Sequence, residues 1–220
     1  MMRTAPVPGD ARTRRVAWAG FAALLAFAAC AVAMSTGATT RLDDLGLRWM
    51  HAHAAPSLEA PAHWLARAGY GRGVLPFDAL LVLALLAVRR WREAVFVSIA
   101  LGGGLLLNRA LKLAFARPRP VLDWPAGEVQ ATFAFPSGHA MATAALATVL
   151  TLLAWPSRGR WPAILIAWGF ALMVGMSRVL LGVHHPADVL AGWTMGIAWP
   201  ALAWCALSVL TPMGRPSSTV

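Results

Sequence analysis

Three short polar clusters stand out because their residue types suit phosphate chemistry. The first is Lys112-Leu-Ala-Phe-Ala-Arg117-Pro118-Arg119-Pro120, and the second is Pro136-Ser137-Gly138-His139. The third is Ser177-Arg178, then five residues, His184, three residues, and Asp188. Lysine is a compact cation and arginine a planar fork, so Lys112, Arg119 and Arg178 together suit a dianion. Pro118 and Pro120 force the chain out of helix and hold Arg117 and Arg119 extended, so that Arg119 can fold back beside Lys112. Ser137-Gly138 at a helix start offers backbone N–H groups and the positive dipole end, and Gly138 lets an anion approach closely. Asp188, four residues after His184, can accept from its Nδ1 and leave Nε2 as a nucleophile. His139 can protonate a leaving alkoxide. A phosphohistidine intermediate, hydrolysed by water, would follow.

For these clusters to meet, the elements carrying them must end on one side. The chain has 220 residues, 59% hydrophobic and 13% charged. A soluble domain carries about 25% charged residues, so a soluble enzyme, a disordered chain and a nucleic-acid-binding module are all excluded. The net charge of +10 needs no nucleic acid, because basic residues of membrane proteins gather in cytoplasmic loops. Cys30 and Cys205 lie in apolar runs and read as buried hydrophobes rather than a disulfide framework.

A spanning helix needs about 20 mostly apolar residues. Six stretches qualify: Val16–Met34, Gly73–Val88, Ala94 through Leu107 toward Ala116, Gly138–Trp155, Trp161–Met176 and Asp188–Leu210. The expected fold class is therefore an all-α integral membrane bundle of six transmembrane helices. Val16–Met34 is read as a retained span rather than a cleaved signal peptide, being longer than the usual 7–15-residue apolar core. In the segment before the second span, Leu42, Leu45 and Trp49 at helical spacing among Asp43, Asp44 and Arg48 suggest a helix lying at the interface. The chain reads as one domain, 16–210, carrying its motifs over 112–188, between tails at 1–15 and 211–220. With both tails cytoplasmic, the clusters Arg12, Arg14, Arg15 and Arg89, Arg90, Arg92 face the cytoplasm. All three polar clusters then fall on the extracytoplasmic side, at the ends of spans three to six.

The pattern K-x6-RP, PSGH and SR-x5-H-x3-D resembles the signature of the type-2 phosphatidic acid phosphatase family, and every position matches. Members are six-span lipid phosphatases whose site is shared with glucose-6-phosphatase and the vanadium haloperoxidases. The resemblance implies His184 as nucleophile, Asp188 as its orienting partner and His139 as acid. It assigns Lys112, Arg119, Ser137, Gly138 and Arg178 to the phosphate. It implies a lipid phosphate in the membrane of a bacterial cell as substrate. Undecaprenyl pyrophosphate is favoured, since a compact outer segment suits carrier recycling. Phosphatidylglycerol phosphate, phosphatidic acid and lipid A phosphate stand beside it.

No cofactor or metal is expected, because a two-metal phosphatase needs several carboxylates and three cations can supply the same charge. A non-catalytic phosphate-lipid binder or transporter is the rival from another class, and it has no need of a complete His139, His184 and Asp188 set. A haloperoxidase fits the site but not a lipid-embedded scaffold. His185 reads as a neighbour, Asn108, Arg109 and Arg117 as supporting or capping residues, and Asp78 as a carboxylate at the interface. His51, His53 and His63 read as interfacial or loop residues, and Asp123 and Glu128 as solvent-facing.

Overall fold

The computed structural model describes residues 11–124, 131–157 and 159–210. Every regular element among them is helical: α1 (Ala11–Ser35), α2 (Thr40–His53), α3 (Glu59–Ala68), α4 (Val74–Ala87), α5 (Trp91–Val97), α6 (Gly103–Phe115), α7 (Gly138–Ala154), α8 (Arg160–Leu180) and α9 (Pro186–Leu210). A π-helical turn, Ser98–Gly102, joins α5 to α6. Trp91–Phe115 thereby runs as one 25-residue helix. Each expected span reappears as a helix. Four are long and apolar enough to cross a membrane: Ala11–Ser35, Trp91–Phe115, Arg160–Leu180 and Pro186–Leu210. The chain is a multi-pass membrane protein. Glu128, Arg158 and the tails before Ala11 and after Leu210 fall outside the described residues.

The other two apolar helices are shorter, α4 at 14 residues and α7 at 17. Burial explains α7. Its residues from His139 through Val149 are all buried, so it sits inside the bundle against α8 and α9. Lipid supplies no hydrophobic drive between helices, and close approach of small side chains has to serve instead. Gly192 and Gly196 of α9 provide it. A methyl on Gly192 would lie 2.7 Å from the Ser137 carbonyl, and one on Gly196 2.6 Å from the Met141 carbonyl. The α1 helix packs along α9, with Phe27 against Phe115 and Phe135.

The segment between α1 and α4 holds two amphipathic helices, where the sequence pattern indicated one. The outward face of α2 carries Leu42, Leu45 and Trp49, all exposed, while Asp43 and Leu47 are buried. His51 and His53 close α2, and His53 stacks on Trp49. His63 lies on α3 beside Glu59. Asp123 is exposed and pairs with Arg48 at 3.5 Å. The exposure of Asp123 matches the solvent-facing expectation.

Candidate active site

Local chain geometry delivers each polar cluster to one end of the bundle. Lys112 lies in the last turn of α6, which stops where Ala116 adopts φ 45°. Pro118 and Pro120 then keep the chain extended, and the Ala134 N–H donates to the Arg117 carbonyl at 2.8 Å. Ser137 precedes α7 with extended backbone. Ser177 and Arg178 occupy the last turn of α8, two residues further along that helix than its apolar run indicated. Pro186 opens α9 and puts Asp188 in its first turn.

Five of the motif residues are deeply buried, with Ser137, Asp188 and His184 at 0%, 0% and 1% exposure and His139 and Arg178 nearly so, while Lys112, Arg119 and Gly138 are partly buried. A cavity of about 860 Å³ opens beside them, lined by Lys112, Arg119, Gly138 and His139, with Leu105, Leu106 and Leu113 along its apolar side. Ser137, Arg178, His184 and Asp188 lie behind that lining. All eight nonetheless converge. The field at Lys112 includes Arg119, Asp188 and Arg178, and that at His139 includes Arg178, His184 and Arg119.

Lys112 and Arg119 are held by carbonyls. Lys112 Nζ donates to the Phe133 carbonyl. The Arg119 guanidinium donates to the Thr132 carbonyl at 2.8 Å and to Val183 O at 2.7 Å, and its Nη1 lies 3.4 Å from His184 Nε2. Burial pulls Arg119 below its ordinary value, against the opposing field of Asp188. The Ser137 N–H is engaged by the Asp188 carbonyl at 2.9 Å. Its Oγ, unlike that N–H, is buried with no hydrogen-bond partner among the described residues. At Gly138 the close approach is also to protein: an added Cβ would sit 3.0 Å from Asn108 Oδ1.

Asp188 Oδ2 faces His184 Nδ1 at 3.5 Å, accepts the His185 N–H at 2.9 Å, and lies 3.4 Å from His185 Nδ1. Spacing to Asp188 therefore does not separate the two histidines. Direction does. Only His184 turns its Nε2 toward Arg119, whereas the His185 side chain is 15% exposed. Burial pushes His184 down to about 4, with Asp188 pulling the other way. The imidazole is neutral at physiological pH, the state a nucleophile needs.

Two partners of His139 carry no motif. Its Nε2 sits 3.1 Å from the Ala66 carbonyl of α3, and its ring stacks on Tyr70 with centroids 4.9 Å apart. Tyr70 is the sole tyrosine of the chain, the one sequence signal that pointed to it. Asp43 was also missed. It is 2% exposed and ion-paired with Arg117, which also pairs with Asp188. Asp78 is half-buried on α4 and lines a small void with Asn108 and Gly138, at the depth of the α7 N-terminus.

The chain is similar to known bacterial membrane phosphatases. Phosphatidylglycerophosphatase B of Bacillus subtilis is 29% identical over 178 residues, covering 79% of this chain and 87% of the relative. The undecaprenyl-diphosphatase BcrC of the same organism is 28% identical over 130 residues, covering 54% of this chain and 64% of its own. A crystal structure of a transmembrane PAP2-type phosphatidylglycerolphosphate phosphatase from Bacillus subtilis superposes with a TM-score of 0.79 at 26% identity, covering 90% of this chain and all of that one. The PAP2 superfamily model matches residues 77–211, a stretch that contains all three polar clusters, and the chain belongs to the PAP2 superfamily.

Proposed function

We propose that the protein is a membrane lipid phosphatase whose phosphate site is built from Lys112, Arg119, Ser137, Gly138 and Arg178, with His184, Asp188 and His139 performing the chemistry. The carrying observation is the single cluster these eight residues form beside a cavity with a cationic wall and an apolar one. The cations take the phosphate and the leucines take the lipid. His184 Nε2 attacks phosphorus, the bond to the lipid oxygen breaks, and His139 supplies the leaving oxygen with a proton. Water then attacks the phosphohistidine, gives a proton back to His139, returns the nitrogen lone pair to His184 and releases phosphate. Asp188 holds Nδ1 throughout. Phosphate entering between the cations displaces the carbonyls of Thr132, Phe133 and Val183 that occupy them. The dianion also favours a protonated His139, whose Nε2–H now faces the Ala66 carbonyl.

Metal is not needed in this scheme, because Lys112, Arg119 and Arg178 neutralise the charge that develops in the transition state. Six helices are taken as spans, with short α4 and buried α7 completing the set of four, both tails cytoplasmic and the site extracytoplasmic. The packing of α1 along α9 supports α1 as a retained span. The domain is read as 16–210. Undecaprenyl pyrophosphate and phosphatidylglycerol phosphate are the leading substrates. The compact outer segment supports the first, and the length of the match to phosphatidylglycerophosphatase B supports the second.

Phosphate release from a panel of lipid mono- and diphosphates, comparing wild type with His184→Ala, tests the reading. Release by wild type alone is expected. Tight lipid binding with no release by either protein would favour the binder.

A further inference from the structure

We propose that Asp43 and Arg117 are a positioning pair: Asp43, on the amphipathic helix α2, holds Arg117, and Arg117 holds the Asp188 carboxylate that orients His184. One guanidinium bridges two buried carboxylates. Arg117 Nη1 donates to Asp188 Oδ1 at 2.5 Å and Nη2 to Asp43 Oδ2 at 2.6 Å. The side chains are 12%, 0% and 3% exposed, so no water competes strongly for the pairs. The remaining oxygen of Asp43 accepts the N–H of Ala187, the residue before Asp188, at 2.9 Å. Asp43 thus grips Asp188 through its ion-pair partner and through its backbone neighbour.

The consequence is geometric. With Oδ1 held by Arg117 and Oδ2 held by the His185 N–H, the carboxylate plane is restrained at both oxygens, and Oδ2 is kept toward His184 Nδ1. A planar fork can span two carboxylates in this way where an ammonium cannot. Burial alone would lower Arg117, but Asp188 and Asp43 more than reverse it and hold it above its ordinary value. Asp43 lies on the face of α2 opposite exposed Leu42, Leu45 and Trp49, so the pair ties a surface helix to the catalytic histidine.

A purely structural tie would change the amount of folded protein. A positioning pair also changes the charge felt by His184. The groups facing His184 are Asp188 on α9, Arg119 after α6, Lys112 on α6 and His139 on α7, with Arg178 of α8 near Lys112 and His185 beside Asp188. Removing the Arg117 charge leaves Asp188 less neutralised, which favours protonated His184. Removing the Asp43 charge leaves Arg117 less neutralised, which disfavours it. The two substitutions therefore act in opposite directions.

The experiment is the pH dependence of aryl phosphate hydrolysis by full-length protein in detergent, for wild type, Arg117→Gln, Arg117→Lys, Asp43→Asn and His184→Ala. The ionisation of the substrate is common to all and cancels in the comparison. Arg117→Gln should move the acidic limb up by about one pH unit and Asp43→Asn should move it down, as expected for one nearby charge at an effective dielectric of about 20. Arg117→Gln should lose roughly 10–100-fold in kcat, by analogy with carboxylates that orient a histidine from behind. Arg117→Lys keeps the charge but not the fork, so its limb should stay in place while its kcat recovers only in part. If Arg117→Gln does not accumulate, Asp43→Asn and Arg117→Lys carry the comparison. Limbs that stay at the wild-type position in both neutral variants, or move in one direction, overturn the proposal. It rests on His184 as nucleophile: activity surviving His184→Ala overturns both, whereas a dead His184→Ala with unmoved limbs overturns this inference alone.

Discussion

Tyr70 and His139 stack with their ring centroids 4.9 Å apart and their planes inclined by 30°. The contact joins the turn between α3 and α4 to the first turn of α7, and it fixes one face of the proposed acid. The other constraint is the Ala66 carbonyl at 3.1 Å from Nε2. An aromatic pair is worth about 0.5–1.5 kcal/mol beyond its buried area, which corresponds to roughly 2–13-fold in rate. Tyr70→Phe should therefore keep kcat/KM close to wild type, while Tyr70→Ala should lose roughly that factor. Steady-state kinetics on one lipid phosphate checks this. Equal losses in the two variants would assign the role to the hydroxyl instead.

His184 makes one contribution to the pH dependence of stability. Unfolded histidine titrates near 6.5, and burial holds His184 at about 4 in the folded protein. Between those values the unfolded chain binds more protons, so stability rises with pH across the window. The contribution is complete above about 6.5 and is lost as pH falls toward 4. Thermal unfolding in detergent from pH 7 to pH 4 should show a falling Tm, and His184→Ala should flatten that slope.

Topology is testable at two exposed positions. Arg90 follows α4, and Asp123 follows the proline-rich segment beside the site. Cysteine at 123, on a background lacking Cys30 and Cys205, should react with an impermeant thiol reagent in intact cells, and cysteine at 90 should not. The reverse pattern would place the site on the cytoplasmic side.

Chelation tests the electrostatic scheme. Activity should survive EDTA, since side-chain cations fill the role. Vanadate should inhibit as a phosphate mimic that the same cations bind. Loss of activity in chelator, restored by magnesium, would contradict the assignment.

Much of the helical layout was readable because membrane helices announce themselves by apolar length, and Pro118, Pro120 and Pro186 marked ends that local sterics dictate. The motif residues were readable because polar groups at the edge of an apolar chain need a reason to be there. What was not readable is contact between distant segments. Asp43 looked like one acid among several on an amphipathic helix, and nothing local says that it pairs with Arg117 at a separation of 74 residues. The second amphipathic helix, α3, has only 10 residues, too few for a clear period. Spacing also could not separate His184 from His185, since both ring nitrogens reach Asp188 and only the direction of Nε2 distinguishes them.

The most direct test of the account is how the two histidine variants respond to leaving-group quality. A lipid alkoxide leaves poorly without a proton, whereas p-nitrophenolate leaves well without one. His139→Ala should lose far more activity on a lipid monophosphate than on p-nitrophenyl phosphate, and should still form phosphoenzyme from the aryl ester. His184→Ala should lose both activities alike and form no phosphoenzyme. The same dependence in both variants, or phosphoenzyme in His184→Ala and none in His139→Ala, would contradict the assignment of His184 as nucleophile.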